Sequence, residues 1–166
     1  MKQLLSILFV AFLSINTFAQ TTWNADPAHT QVTFEITHLG IADIKGSFNK
    51  FEGNIVASKE DFSDAQYQIS INVPSIDTGI EMRDNHLRSA DFFDAEKYPE
   101  MTFKSTSSEK VLYRGTIEHP QNKKMISGFA ITGNVKRSDF NLGPKFPEPM
   151  LSDNVVIDVN GEFIKQ

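Results

Sequence analysis

From Trp23 onward, apolar and polar residues alternate with a period of two, the signature of strands with one buried face. Val32, Phe34 and Ile36 alternate with Gln31, Thr33, Glu35 and Thr37. His38-Leu39-Gly40 interrupts that run, and Ile44, Gly46 and Phe48 carry the pattern into a second strand. Phe51, Gly53, Ile55 and Ala57 form a third. Phe48 and Phe51 are three apart, so a bulge or turn at Asn49-Lys50 is needed if both rings point inward. Lys59–Ser63 reads as a polar connection, and the glycines at 46 and 53 suit strands that bend sharply. The cleanest alternation is Ala65, Tyr67, Ile69, Ile71 and Val73, which Pro74 ends because proline cannot donate to a ladder. Further strands are expected at Met101–Ser105, Val111–Glu118, Met125–Val135 and Val155–Phe163, with a turn at His119-Pro120-Gln121-Asn122. Met125–Val135 has apolar residues on both parities, so it is either buried on both faces or bent. About eight strands and one short helix predict an all-β fold, an antiparallel barrel in preference to a sandwich.

The helix is expected inside Ser75–Ser105, the stretch around which the other segments are arranged. Thr78 followed three residues later by Glu81 reads as a capping box. The next ten residues carry Arg83, Asp84, His86, Arg88 and Asp91, followed by Phe92-Phe93 and the turn pair Tyr98-Pro99. A short polar helix ending in two phenylalanines and set between strands predicts a lid over one end of the β-structure.

Composition adds a compartment. Met1-Lys2, the apolar run Leu4–Leu13 and the small residues Thr17 and Ala19 read as a signal peptide spanning 1–19, with the mature domain at 20–166. That run is too short for a spanning helix, so no stable membrane anchor is expected. The chain has no cysteine, which removes both disulfides and a lipoprotein anchor. A single domain of this length buries about two-thirds of its unfolded surface without such help. A formal charge of −5 speaks against nucleic acid and anionic membranes as partners, since both attract clustered Lys and Arg. The expected location is periplasmic or secreted. Phenylalanine is over-represented, with 14 against one Trp and three Tyr; three of them fall in the leader. A ring with no polar handle makes a dry interior, either plain core or the lining of an apolar cavity.

Specific strings then matter more than period. Trp23-Asn24-Ala25-Asp26-Pro27-Ala28-His29-Thr30, His38-Leu39-Gly40 and Gly46-Ser47-Phe48-Asn49-Lys50-Phe51-Glu52-Gly53 resemble the YceI family of polyisoprenoid-binding proteins. So do Ser75-Ile76-Asp77-Thr78, Arg83-Asp84-Asn85-His86-Leu87, Ser89-Ala90-Asp91-Phe92-Phe93-Asp94, Arg137-Ser138-Asp139-Phe140 and Leu151-Ser152-Asp153-Asn154-Val155. The resemblance implies a lipocalin-like, eight-stranded barrel that holds a long isoprenoid chain. It also implies an exported protein and, as in several members, a homodimer. One departure is a shortening between Ser108 and Val111, where the family usually carries a further hairpin. Closure ties diameter to strand number, so a narrower or open-edged barrel is expected.

The functional reading is an exported protein that binds a polyprenyl or quinone-type lipid and is not an enzyme. Its tail would be held by an apolar lining of Val32, Phe34, Ile36, Phe48, Phe51, Phe92, Phe93, Phe103, Phe129 and Phe140. Arg83, Asp84, His86, Arg88 and Asp91 form a polar lid cluster, which either meets a head group or pairs internally beneath the lid. No cofactor is expected beyond bound lipid. His29, His38, His86 and His119 show no metal-ligand spacing, so no metal site is expected either. Two alternatives stay open: a stress-response or interaction module with a filled barrel, and a hydrolase acting at the polar cluster. Against the hydrolase, Asp84, His86 and Ser89 are too close along one helix for a relay, and no nucleophile elbow, P-loop or dinucleotide turn is visible.

Overall fold

A computed structural model describes residues 19–105 and 111–166. The proposed leader, up to Phe18, and the shortened Ser108–Lys110 segment lie outside the described residues. Nine antiparallel strands form one continuous sheet: β1 (Thr21–His38), β2 (Ala42–Phe48), β3 (Phe51–Ala57), β4 (Gln66–Asn72), β5 (Ile76–Asp77), β6 (Glu100–Lys104), β7 (Val111–Glu118), β8 (Met125–Lys136) and β9 (Leu151–Lys165). Among the described residues the one α-helix, α1, is Glu81–Arg88, and short 3₁₀ turns occupy Val73–Ser75 and Arg137–Phe140. Among the described residues no helix is long and apolar enough to cross a membrane.

The strand order is β6-β4-β3-β1-β9-β8-β7, with β2 on the second half of β1 and β5 on β2. Since β6 and β7 end the order without pairing to each other, the sheet is not closed. It nonetheless curls round one interior, because Phe103 of β6 and Val135 of β8 line the same cavity. The bends at Asn49-Lys50 fall between β2 and β3. They flip the parity, so Phe48 and Phe51 both face inward, packed in or against the core.

One end of the interior is packed solid. Trp23, Ile55, Tyr67, Ile69, Phe129 and Phe163 are buried there in one apolar cluster. Phe129 sits edge-on to Phe163 (5.4 Å between centroids, 87°) and to Phe62 (4.9 Å, 77°). Phe62 corrects the reading of Lys59–Ser63 as a polar connection. At a positive φ of 56° its backbone turns the ring inward against Trp23 and Tyr113, plugging that end of the barrel. Asp64 holds the loop by accepting from the Ser58 and Lys59 backbone amides (3.0 and 3.1 Å) and from the Ser58 hydroxyl.

Candidate functional site

Three long strands run from this packed end into open space. Along β1 the inward positions pass from Val32, 1% exposed, to Phe34, Ile36 and His38 on a cavity wall. Along β8 they pass from Phe129 and Ile131 through Gly133 to Val135, and along β9 from Phe163 and Val159 to Ile157, Val155 and Leu151. The registers Phe34↔Ile157, Ile36↔Val155 and Val135↔Val155 place those walls side by side. The cavity measures about 820 Å³, inside the range of roughly 300–1,000 Å³ typical of small-molecule sites. Its surface is overwhelmingly apolar.

Seven of the ten expected lining residues meet this space: Phe34, Ile36, Phe48, Phe92, Phe93, Phe103 and Phe140. Val32 and Phe129 belong instead to the packed end, and Phe51 packs against it from its edge. The physical reason is position along the strand: alternation tells which face points inward, but not where the interior stops being filled. Phe48 bridges the two regions, tilted on Phe34 (5.5 Å) and edge-on to Phe93 (6.1 Å). The Phe34 ring lies so close to β2 that a Cβ at Gly46 would sit 2.5 Å from its Cζ, so any larger residue there would displace the ring.

The lid differs from the expected capping box. Thr78 does not pair with Glu81; the helix is capped by Ile80, with no side-chain bond at its start. Buried Asp84 instead accepts from both the Thr78 amide (2.9 Å) and its hydroxyl (2.5 Å). A carboxylate one turn into the helix is as well placed as a cap to take up those donors. Arg83 donates from Nε to Thr78 Oγ1 (2.7 Å) and from Nη2 to the Thr78 carbonyl (2.8 Å). Arg88 ties the helix to the preceding turn through the Pro74 and Ile76 carbonyls (2.8 and 2.7 Å) and reaches Asn85 Oδ1 (3.0 Å). Asp84 and Arg88 are therefore structural.

Of the five polar residues, Arg83 and His86 are on the cavity wall. Asp91 faces Lys145 (2.5 Å) and, more distantly, His86 (3.4 Å). The bond from Lys145, followed by that from His86, holds the Asp91 carboxyl below its ordinary pKa. Ser89 Oγ donates to the His86 carbonyl (2.7 Å), not to its imidazole. With Asp84 engaged by Thr78, these residues form no nucleophile–base–acid relay.

Above the lid, Phe92 stacks on Phe146 (4.9 Å, 13°), and His86 stands edge-on to both rings. Phe146 belongs to the connection between β8 and β9, which Arg137 organises. Its Nε donates to the Ser152 carbonyl, Nη1 to those of Leu142 and Gly143, and Nη2 to those of Phe146 and Leu151 (2.7–3.2 Å). All five guanidinium donors are used, at 7% residue exposure. Arg137 was legible only as part of a motif; its role depends on carbonyls up to fifteen residues away. A lysine offers three donors from one point and cannot reproduce the fork. Arg137→Lys should cost about 2 kcal/mol or more, because buried carbonyls lose their partners. Amide exchange at Leu142 and Phe146 should accelerate beyond that of the β4 core; uniform exchange would show that Arg137 does not hold this segment.

A YceI-like domain model matches residues 23–163. The UPF0312 proteins of Staphylococcus aureus strain USA300 and of Staphylococcus epidermidis strain RP62A are each 30% identical, over 86% of this chain and 97% of theirs. Among solved structures, the Campylobacter jejuni YceI protein aligns with a TM-score of 0.66 at 27% identity, over 78% of this chain and 90% of that one. Burkholderia cenocepacia BcnA aligns at 0.67 and 20% identity, over 84% and 98%. A polyisoprenoid-binding domain from Saccharophagus degradans, implicated in plant cell wall breakdown, aligns at 0.57 and 14% identity, over 90% and 100%.

Proposed function

The chain belongs to the YceI-like domain family, and from that premise we propose that it is an exported protein that binds and carries a long isoprenoid lipid. The observation that carries this reading is the apolar cavity of about 820 Å³ beside a fully packed core. An isoprenoid tail has no hydrogen bonds to offer, so its affinity comes from burying CH₂ groups at roughly 0.8 kcal/mol each. Phe34, Phe103 and Ile157 provide that surface without stranding polar atoms. The polyisoprenoid-binding Saccharophagus domain of similar fold supports the same ligand class.

Arg83 and His86 stand at the polar part of the wall. Among the described residues, Arg83 Nη1 and His86 Nδ1 have no hydrogen-bond partner. They are the groups to receive a quinone carbonyl or a phosphate, which guanidinium donors suit. The protein sequesters its ligand and does no chemistry on it. The segment 1–19 directs it to the periplasm or the medium.

Organic extraction of folded, purified protein followed by mass spectrometry tests this. A stoichiometric polyprenyl or quinone species is the expected result; a clean extract from protein that also refuses added polyprenol would refute it. Phe34→Trp should lower occupancy more than it lowers Tm, since Phe34 lies on the cavity wall and the larger side chain takes up ligand space. Equal loss of both would make Phe34 ordinary core.

A further inference from the structure

At the packed end, on the outer surface, the first and last strands are joined irregularly. Their register runs Ala25↔Phe163 and then Thr30↔Gly161. Four residues, 26–29, therefore bulge opposite the single residue Glu162. The bulge is held closely: Thr30 Oγ1 donates to the Glu162 carbonyl (2.9 Å). A Cβ at Gly161 would lie 2.3 Å from Thr30 Cα, so glycine alone permits this approach. Asp26 Oδ1 accepts the Ala28 amide (3.0 Å), which leaves Oδ2 facing His29 Nδ1 at 2.9 Å. Glu162 Oε2 is 3.8 Å from the same nitrogen.

We propose that Asp26, His29 and Glu162 form a binding site for a first-row divalent transition-metal ion, with Zn²⁺ as its representative. The three donor atoms all lie within 4.8 Å of one another. An ion holding each donor at about 2.0–2.2 Å sets neighbouring donors roughly 3–3.5 Å apart, so the side chains need only small adjustments. One imidazole with two carboxylates suits zinc, copper or nickel; calcium and magnesium prefer all-oxygen shells. The exposed His29 ring, 61% accessible, leaves room for solvent ligands. None of these residues lines the lipid cavity, so the site is independent of the carrier reading. Local spacing could not reveal it, because the third donor comes from the opposite end of the chain.

The proton is the ion's competitor. The bond to Asp26, reinforced by the charges of Asp26 and Glu162, raises the His29 pKa above its ordinary value. Asp26 and Glu162 are the titratable groups facing it.

The test is calorimetric titration of the full mature chain with ZnCl₂, CaCl₂ and MgCl₂ in a non-chelating buffer, alongside thermal unfolding. One Zn²⁺ per chain is expected, binding more tightly than Ca²⁺ or Mg²⁺ and raising Tm by linkage. His29→Ala and, separately, Glu162→Gln should each weaken it at least about tenfold, as even outer-shell partners of bound metals are worth that much. Glu35→Gln, which removes a carboxylate paired with Lys45 elsewhere on β1, should leave Zn²⁺ affinity unchanged. Absence of stoichiometric Zn²⁺ binding, a preference for Ca²⁺ or Mg²⁺, or binding unaltered in both His29→Ala and Glu162→Gln would overturn the proposal. Both substituted side chains are solvent-accessible, and the unfolding curves without metal report directly that the variants fold.

Discussion

Phe129→Ala should destabilise the protein by about 3–5 kcal/mol, the range for removing a ring from a core that cannot collapse into the gap. Phe129 is 0% exposed and is surrounded by Phe62, Tyr113 and Phe163, with centroids 4.9–5.6 Å away. Rigid rings on three sides cannot rotate into the vacated volume as flexible aliphatic chains do. Against a total stability of roughly 5–15 kcal/mol, this is a large share. In urea the midpoint should drop steeply with the slope of the transition unchanged. The comparison is Phe140→Ala. Phe140, by contrast, lies on the cavity wall and is 64% exposed, so its loss should change stability by no more than about 0.5 kcal/mol. Similar costs for the two would mean that the interior is not divided into a filled and a hollow part.

That division is what sequence patterning could not resolve. The alternation of Tyr67, Ile69 and Ile71 located β4 within a residue of its ends, because burial of one face dictates every second position. The same logic placed Val32 and Phe34 on one face, correctly, yet carries nothing about depth along the barrel. One of them is packed and the other lines a void. Phe62 was missed because its neighbours Lys59, Glu60, Asp61 and Ser63 are polar, and a positive backbone angle at one residue was enough to turn its ring inward. Thr78 and Glu81 met the spacing of a capping box, but Asp84 offered the same donors a buried carboxylate, where each hydrogen bond is stronger. Residue type picked out Arg83, Asp84, His86, Arg88 and Asp91 together; that Arg83 and His86 alone of these line the cavity depended on which sides Thr78 and Pro74 occupied. Family strings supplied what periodicity lacked, the expectation of a ligand.

Gly133→Leu should separate binding from stability in opposite directions. Gly133 shares the inward parity of Ile131 and Val135 and stands opposite Ile157, yet a Cβ there would meet nothing within 4 Å. A glycine inside a long strand weakens it, and replacing one whose backbone tolerates a side chain stabilises by about 0.4–1 kcal/mol through the unfolded state. Leucine should therefore raise Tm slightly while its four carbons occupy space the lipid tail needs. Excluding about four buried CH₂ equivalents of ligand forfeits roughly 3 kcal/mol at 0.8 kcal/mol each, or about a hundredfold in affinity. Displacement of a fluorescent fatty acyl or prenyl probe, measured beside thermal unfolding, reads both quantities. Unchanged probe affinity would move the ligand away from the wall formed by β8 and β9, and a fall in Tm would mean that the space beside Gly133 is already filled. Because a packed site loses stability when overfilled and a hollow one does not, the sign of the Tm change alone distinguishes a container from a core.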